Sequence, residues 1–189
     1  MDLDNPAHLR ILAIRLRDRA RAVAAAASAP AGHLQNRIGD ETSNLADLLA
    51  DLTFAVTWQL DEAARRPRRH TPELRRGTAA VARAAIPVGL ALAGLGQAVA
   101  QLAALHTLDA YEPNEEQQAA VHHTHHGLEE TLGDASAQLA AAAERMSHDA
   151  DQVDDRPRRS PTPSEIAAHA TASALPPAPP TPSEPNPTR

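Results

Sequence analysis

Residues 121–146 read VHHTHHGLEETLGDASAQLAAAAERM, and in this stretch eight positions, mostly apolar, follow one another at alternating steps of four and three residues. These positions are Val121, His125, Leu128, Leu132, Ala135, Leu139, Ala142 and Met146. A second stripe of the same spacing consists of Val81, Ala85, Val88, Leu92, Leu95, Val99 and Leu102. Such spacing places one apolar seam on each of two helices, and each seam needs a partner. We therefore predict two long helices that pack face to face within one folded unit.

Prolines outside these stripes mark where helices begin and end. Asn5-Pro6 and Thr71-Pro72 each read as an N-cap followed by proline at the first helical position. Because the connections are short, we predict an all-α fold, an antiparallel up-down-up-down four-helix bundle whose helices 3 and 4 are long. The predicted helices cover about residues 6–28, 40–66, 72–110 and 115–150, with an extra turn around 34–38 and a kink at Pro87.

The C-terminal residues differ in composition from the bundle. Ten of the 16 prolines lie at or beyond Pro157, among Ser, Thr, Asp and Arg. Such a sequence buries too little apolar surface to offset the entropy of ordering. We therefore predict two parts, a bundle over residues 1–150 and a disordered Pro/Ser/Thr-rich tail over residues 151–189.

Composition narrows the class of function. The chain has no Cys, which excludes disulfides and thiolate chemistry. The net charge of −6 is uneven, since residues 1–83 hold 13 Arg against 10 acids and residues 84–189 hold 5 Arg against 14 acids. A molecule with charges of both signs favours helix pairing or self-association over nucleic-acid binding, which usually requires a basic domain.

An arginine cluster lies at the predicted junction of helices 2 and 3. This basic patch consists of Arg65, Arg66, Arg68, Arg69, Arg75 and Arg76. Arginines at a helix junction grip phosphates in some proteins, but here no aromatic residue is interleaved for base stacking. We favour a solvated junction in which Arg65 and Arg66 complement the negative end of helix 2.

Histidines near the start of helix 4 suggest a divalent-metal site. The candidate ligands are His106, His122, His125, His126 and Glu129. His122 and His126 are four residues apart and share a helix face, whereas His106 and His125 fall on the predicted seams. The favoured interpretation is that the outer histidines are solvated and the seam histidines fix register; metal binding and a pH-sensitive seam are the alternatives.

Two further segments have a favoured and an alternative interpretation. Residues 84–105 carry no charge and resemble a weak transmembrane segment, but their three Gly and Pro87 favour a buried bundle helix. Phe54 and Trp58, four residues apart on helix 2, are predicted as core anchors. Because Phe54 lies beside the helix 2 stripe, the alternative is that one of the two faces a partner.

The functional prediction follows from what the sequence contains and lacks. It has no glycine-rich phosphate loop, HExxH or GxSxG motif, so we predict a non-enzymatic protein without a cofactor. An acidic start and early arginines predict no secretion signal and hence a cytoplasmic location. The chain is expected to act through contacts with a protein partner or as a homo-oligomer, with the basic patch pairing head-to-tail with residues 112–130 of another copy. Nucleic acid and membrane are the less favoured partners.

Overall fold

The fold is all-α, a bundle of four helices, as the sequence predicts. The computed structural model describes residues 3–108 and 114–154. Its helices are α1 (Pro6–Ala27), α2 (Ala31–Arg65), α3 (Pro72–Leu108) and α4 (Glu115–Asp154), with a 3-10 turn over Pro67–Arg69 between α2 and α3. The predicted disordered tail, from residue 155 onward, lies outside the described residues, as does the connection over residues 109–113.

The helices pack as a ring in which α4 contacts α1 and α3, and α2 contacts α3 and, more sparsely, α1. Ion pairs fix the antiparallel directions. Arg10 near the start of α1 pairs with Asp151 and Asp154 near the end of α4, and Arg83 of α3 pairs with Asp149 of α4. Hydrogen bonds to Asp154 and Asp151 raise the pKa of Arg10. The arrangement is that of an up-down bundle.

Side-chain caps start three of the helices. The Asn5 Oδ1 atom accepts a hydrogen bond from the backbone N–H of Ala7 at 2.9 Å, and the Thr71 hydroxyl accepts one from the N–H of Leu74 at 3.2 Å. Asn114 and Gln117 exchange two such bonds, at 2.8 and 3.1 Å, at the start of α4. Each cap satisfies donors that the first helical turn leaves unpaired, which confirms the predicted starts after Asn5 and Thr71.

Two helices are longer than predicted. α2 begins at Ala31 rather than near residue 40, because Leu34 and Ile38 continue its apolar stripe into the core. α4 continues to Asp154, where Val153 packs against the core and two aspartates pair with Arg10. The predicted end of helix 4 near residue 150 was wrong, because polar residues at the end of a helix stay helical when they have partners on another helix.

The predicted α4 seam is buried from Leu128 onward but not at Val121 and His125, and the predicted α3 seam is partly displaced. Leu9, Leu12, Leu16, Ala20 and Val23 of α1 are all buried, as are the α4 positions from Leu128 to Met146. On α3 several buried positions fall one residue earlier than predicted, at Ala80, Ala84, Ala91 and Ala98, beside Val81, Val88 and Leu95. At the end of the stripe Leu105 is buried, whereas the predicted Leu102 is only half-buried. The difference arises because α3 packs against two helices, so that its buried face is wider than one stripe.

Two positions on α3 have unusual backbone surroundings. α3 remains helical through Pro87, which is buried and, having no N–H, leaves the carbonyl of Arg83 without its usual helical donor. At Gly77 the chain passes so close that a Cβ atom would overlap the backbone carbonyl of Leu3. Leu3 is fully buried, so the absence of a side chain at Gly77 lets the segment before α1 pack onto α3.

Candidate protein-interaction surface

Phe54 and Trp58, the only Phe and the only Trp of the chain, lie on the outside of α2. Their side chains are 70% and 56% exposed, and their rings stack with centroids 6.4 Å apart and an interplanar angle of 27°. The prediction that they anchor the core was therefore wrong, because Leu45, Leu48, Leu52 and Ala55 already fill the inward side of α2. Helical spacing places residues 54 and 58 together, and away from those four.

Two exposed isoleucines lie on the neighbouring helix. Ile11 and Ile14 of α1 are each 53% exposed. The Nη2 atom of Arg15 on α1 and the Oδ2 atom of Asp51 on α2 lie 3.8 Å apart, so these two residues face each other across the two helices. Because the helices are antiparallel, Ile11, one turn before Arg15, lies in the part of the bundle where α2 continues from Asp51 towards Phe54. We call the surface formed by Ile11, Ile14, Phe54 and Trp58 the α1/α2 face.

The two helices of this face carry opposite charges. α1 holds five Arg and one Asp, a net charge of +4, whereas α2 holds six acidic residues and two Arg, a net charge of −4. Two ion pairs bridge them, Arg15–Asp51 at 3.8 Å and Arg19–Glu41 at 3.1 Å. The Arg37 guanidinium also donates to the carbonyl of Ala25 at 3.4 Å. The α1/α2 seam is thus bridged by long polar side chains.

The predicted metal ligands are all on the surface, and the structure does not bring them together. His106, His122, His125, His126 and Glu129 are exposed. The inward positions that His106 and His125 were predicted to hold belong to Leu105 and to the half-buried Thr124. Across residues 3–108 and 114–154, the structure forms no group of three or more His, Asp or Glu that could hold a metal ion. The His122–His126 pair, one turn apart on α4, is what remains of the metal prediction.

The predicted basic patch is exposed at the junction of α2 and α3. Arg65 pairs with Asp61 at 2.7 Å and Arg66 with Glu62 at 3.2 Å, each one turn earlier on α2. Exposed pairs of this kind contribute little to stability. Arg75 and Arg76 line a cavity of about 310 Å³ with Arg83, Asp149 and Gln152. The mixed charges of this cavity agree with a solvated junction, and a head-to-tail contact through the patch stays a prediction.

A groove of about 450 Å³ runs between α3 and α4. Gly94 and Gly127 lie along it, with Leu90 on one wall and Glu130 and Asp134 on the other. The side-chain oxygens of Gln101 and Gln138 in its lining are buried and have no hydrogen-bond partner among the described residues. Because these oxygens are closed to solvent, they do not present acceptors to a ligand in the groove.

α3 also meets the length and composition of a membrane span. Its most apolar 18-residue window has a mean hydropathy of 1.7, and 28% of that window is buried within the bundle. Ile86, Leu90 and Val99 are exposed on it. The core helix of a soluble protein passes the same test, so the membrane alternative stays a prediction.

Comparisons with protein-family models, with characterised proteins and with solved structures find no match for this chain. The functional argument therefore rests on the chemistry of its own surface. Among the surfaces described above, the α1/α2 face alone combines stacked aromatic rings, further exposed apolar side chains and charges of both signs within the described residues.

Proposed function

We propose that the protein is a non-enzymatic helical bundle that acts through protein–protein contacts made by the α1/α2 face. The observation that carries this proposal is the exposure of Phe54 and Trp58, stacked on each other and pointing away from the core. The chain has three aromatic residues in all, so it places two of them where they add nothing to its own core.

The energetic argument concerns what these rings gain from a partner. Fully burying a large apolar side chain is worth about 1.5–3 kcal/mol, and Phe54 and Trp58 forgo much of this in the isolated bundle. Aromatic residues are enriched at the centres of protein interfaces, where Trp above all supplies binding energy. Ile11 and Ile14 extend the apolar area onto α1, and the surrounding Arg and Asp side chains supply a polar rim.

Site-specific photo-cross-linking in the native cell tests this proposal. A photoreactive residue replaces the exposed Thr57, which lies one turn after Phe54 and next to Trp58 in the chain, and a matched one replaces the exposed Ala137 on α4. We expect covalent protein adducts from position 57 that disappear in the Phe54→Ser/Trp58→Ser background, and none of the same size from position 137. Equal adducts from both positions, or none from position 57, would contradict the proposal.

A further inference from the structure

We propose that the cavity between the start of α3 and the end of α4 is a binding site for a phosphate monoester group. The residues that line it are Arg75, Arg76, Ala79 and Arg83 of α3 with Asp149 and Gln152 of α4. The site lies on other helices than the α1/α2 face, so the inference goes beyond the proposed function. Three observations carry it: the excess of positive charge, the arginines without a partner in the chain, and the shape of the cavity.

The cavity has an excess of positive charge. Three guanidinium groups line it against a single carboxylate, that of Asp149, which leaves two excess positive charges. Asp151 and Asp154, also near the end of α4, do not line the cavity and are held by Arg10 of α1 at 3.0 and 2.8 Å. Like charges gathered around one space favour an anion there. A phosphate monoester carries about 1.5–2 negative charges at neutral pH, which matches this excess.

Two of the three arginines have no partner of their own. Arg75 and Arg76 are exposed and form no ion pair with any other described residue. They differ in this from Arg65 and Arg66 of the same basic patch, which are paired with carboxylates one turn earlier on α2. The guanidinium groups of Arg75 and Arg76 are therefore available to a ligand.

The third arginine, Arg83, is paired but not saturated. Its Nη2 atom lies 3.0 Å from the Oδ2 atom of Asp149, and this ion pair joins α3 to α4 at the cavity. A guanidinium group has five N–H donors in a planar fork, so this contact leaves donors for a second acceptor. The fork matches two oxygens of one phosphate. Asp149 thus holds Arg83 at the cavity and offsets part of its charge.

The spacing along α3 leaves room for the ligand. Arg75, Ala79 and Arg83 follow one another at steps of four residues, so they lie on one face of the helix. Arg75 and Arg83 are about 12 Å apart along the helix axis, and the side chain between them is only a methyl group. The volume of about 310 Å³ is at the lower end for small-molecule sites. The cavity therefore suits a phosphate on a small molecule or a lipid headgroup rather than a nucleic-acid strand.

Isothermal titration calorimetry of the full-length chain with phenyl phosphate, at low and constant ionic strength, tests the inference. We expect one site with a dissociation constant below about 1 mM. Arg75→Gln and Arg76→Gln should each weaken binding by about tenfold or more, because each removes charge-assisted hydrogen bonds. Arg21→Gln is the matched control, since Arg21 is an exposed arginine of α1 that pairs with Asp18 of its own helix, and it should leave the affinity unchanged.

Two further variants separate binding in the cavity from a purely structural role. Asp149→Asn removes the carboxylate and frees Arg83, so we expect phenyl phosphate to bind several-fold more tightly. Asp18→Asn likewise frees an arginine, Arg21 of α1, and should not change the affinity. Ala79→Leu keeps every charge but fills the space, and it should abolish binding. Circular dichroism confirms that each variant is folded.

A second arm of the experiment identifies the source of the phosphate. Vesicles of phosphatidylcholine and phosphatidic acid present the same monoester group on a lipid, and co-sedimentation measures their binding. Binding that Arg75→Gln weakens supports the site with either probe, and the probe that binds more tightly identifies the source. A chain that binds neither probe, or whose binding is unchanged by Arg75→Gln, Ala79→Leu and Asp149→Asn, overturns the site. The adducts expected at position 57 do not depend on any of these outcomes.

Discussion

The two sides of α1 show how one helix can be held firmly on one flank and loosely on the other. Towards α4, Ala13 and Ala20 are buried and the Ser136 hydroxyl donates to the carbonyl of Ala20 at 2.9 Å. Towards α2, contact is sparse and long side chains such as Arg15 and Arg19 bridge the gap. Small residues let backbones approach, whereas ion pairs keep helices a side chain apart. The tight flank therefore builds the core, and the loose flank leaves the α1/α2 face open to another molecule.

Truncating a buried leucine of α1 should give the largest loss of stability. Leu16 is fully buried, and Leu16→Ala is expected to lower the free energy of unfolding by about 2–5 kcal/mol. Ile14→Ala, on the outer side of the same helix, should cost less than about 1 kcal/mol because half of that side chain is already in water. Chemical denaturation of both variants measures the difference. Equal losses of unfolding free energy would refute the assignment of Leu16 to the core side and Ile14 to the outer side of α1.

Adding a methyl group at Gly77 should disturb the segment that leads into α1. The new Cβ would overlap the backbone of Leu3, so we expect Gly77→Ala to destabilise the fold by about 1–3 kcal/mol despite the better helix propensity of Ala. At Gly133 of α4 no atom would lie within 4 Å of an added Cβ. Gly133→Ala should therefore stabilise the bundle by up to about 1 kcal/mol. Thermal unfolding should show shifts of opposite sign.

Removing the Ser136 hydroxyl tests the contact of α4 with α1. Ser136→Ala deletes a part-buried hydrogen bond to Ala20 and is expected to cost about 1 kcal/mol. The exposed Ser43 hydroxyl donates only to the carbonyl of Gly39 within its own helix, so Ser43→Ala should change stability by less than about 0.5 kcal/mol. If denaturant titration found the two variants alike, the bond to Ala20 would have no special role.

The smallest effect is expected at the α1/α2 seam. A double-mutant cycle with Arg15→Gln and Asp51→Asn should give a coupling energy of about 0.2–0.5 kcal/mol that vanishes near 1 M salt, since both side chains are more than half exposed. The Arg19–Glu41 pair is more buried and should retain a larger part of its coupling under the same conditions. A coupling above about 1 kcal/mol between Arg15 and Asp51 would mean that this flank is not loose.

The sequence predicts α1 almost completely and α3 less well, for a physical reason. On α1 the buried face is marked by Leu9, Leu12 and Leu16, and the arginines Arg10 and Arg15 between them fall outside it, so that the buried face can be recognised. On α3 nearly every position is Ala, Gly, Val or Leu, and adjacent stripes are almost equally apolar. The packing of α2 and α4 on either side selects among them, and that information is not local.

Only part of the candidate surface could be predicted from the sequence. Residue type suggests that Phe54 and Trp58 belong in a core, and the one contrary signal was that Phe54 lies beside the leucine stripe of α2. Their exposure follows because Leu48 and Ala55 occupy the inward positions next to that stripe. The level of α1 against α2, which decides how near Ile11 lies to Phe54, depends on the packing of both helices and has no signature in the spacing of either.

The proline within α3 removes one backbone hydrogen bond from an otherwise continuous apolar helix. Pro87 has no N–H to donate to the carbonyl of Arg83, so the helical hydrogen-bond pattern lacks one bond within α3. Local opening can therefore start at this point as well as at the helix ends. Hydrogen exchange followed residue by residue would then show a dip in protection near Pro87, deep inside a helix that otherwise exchanges slowly.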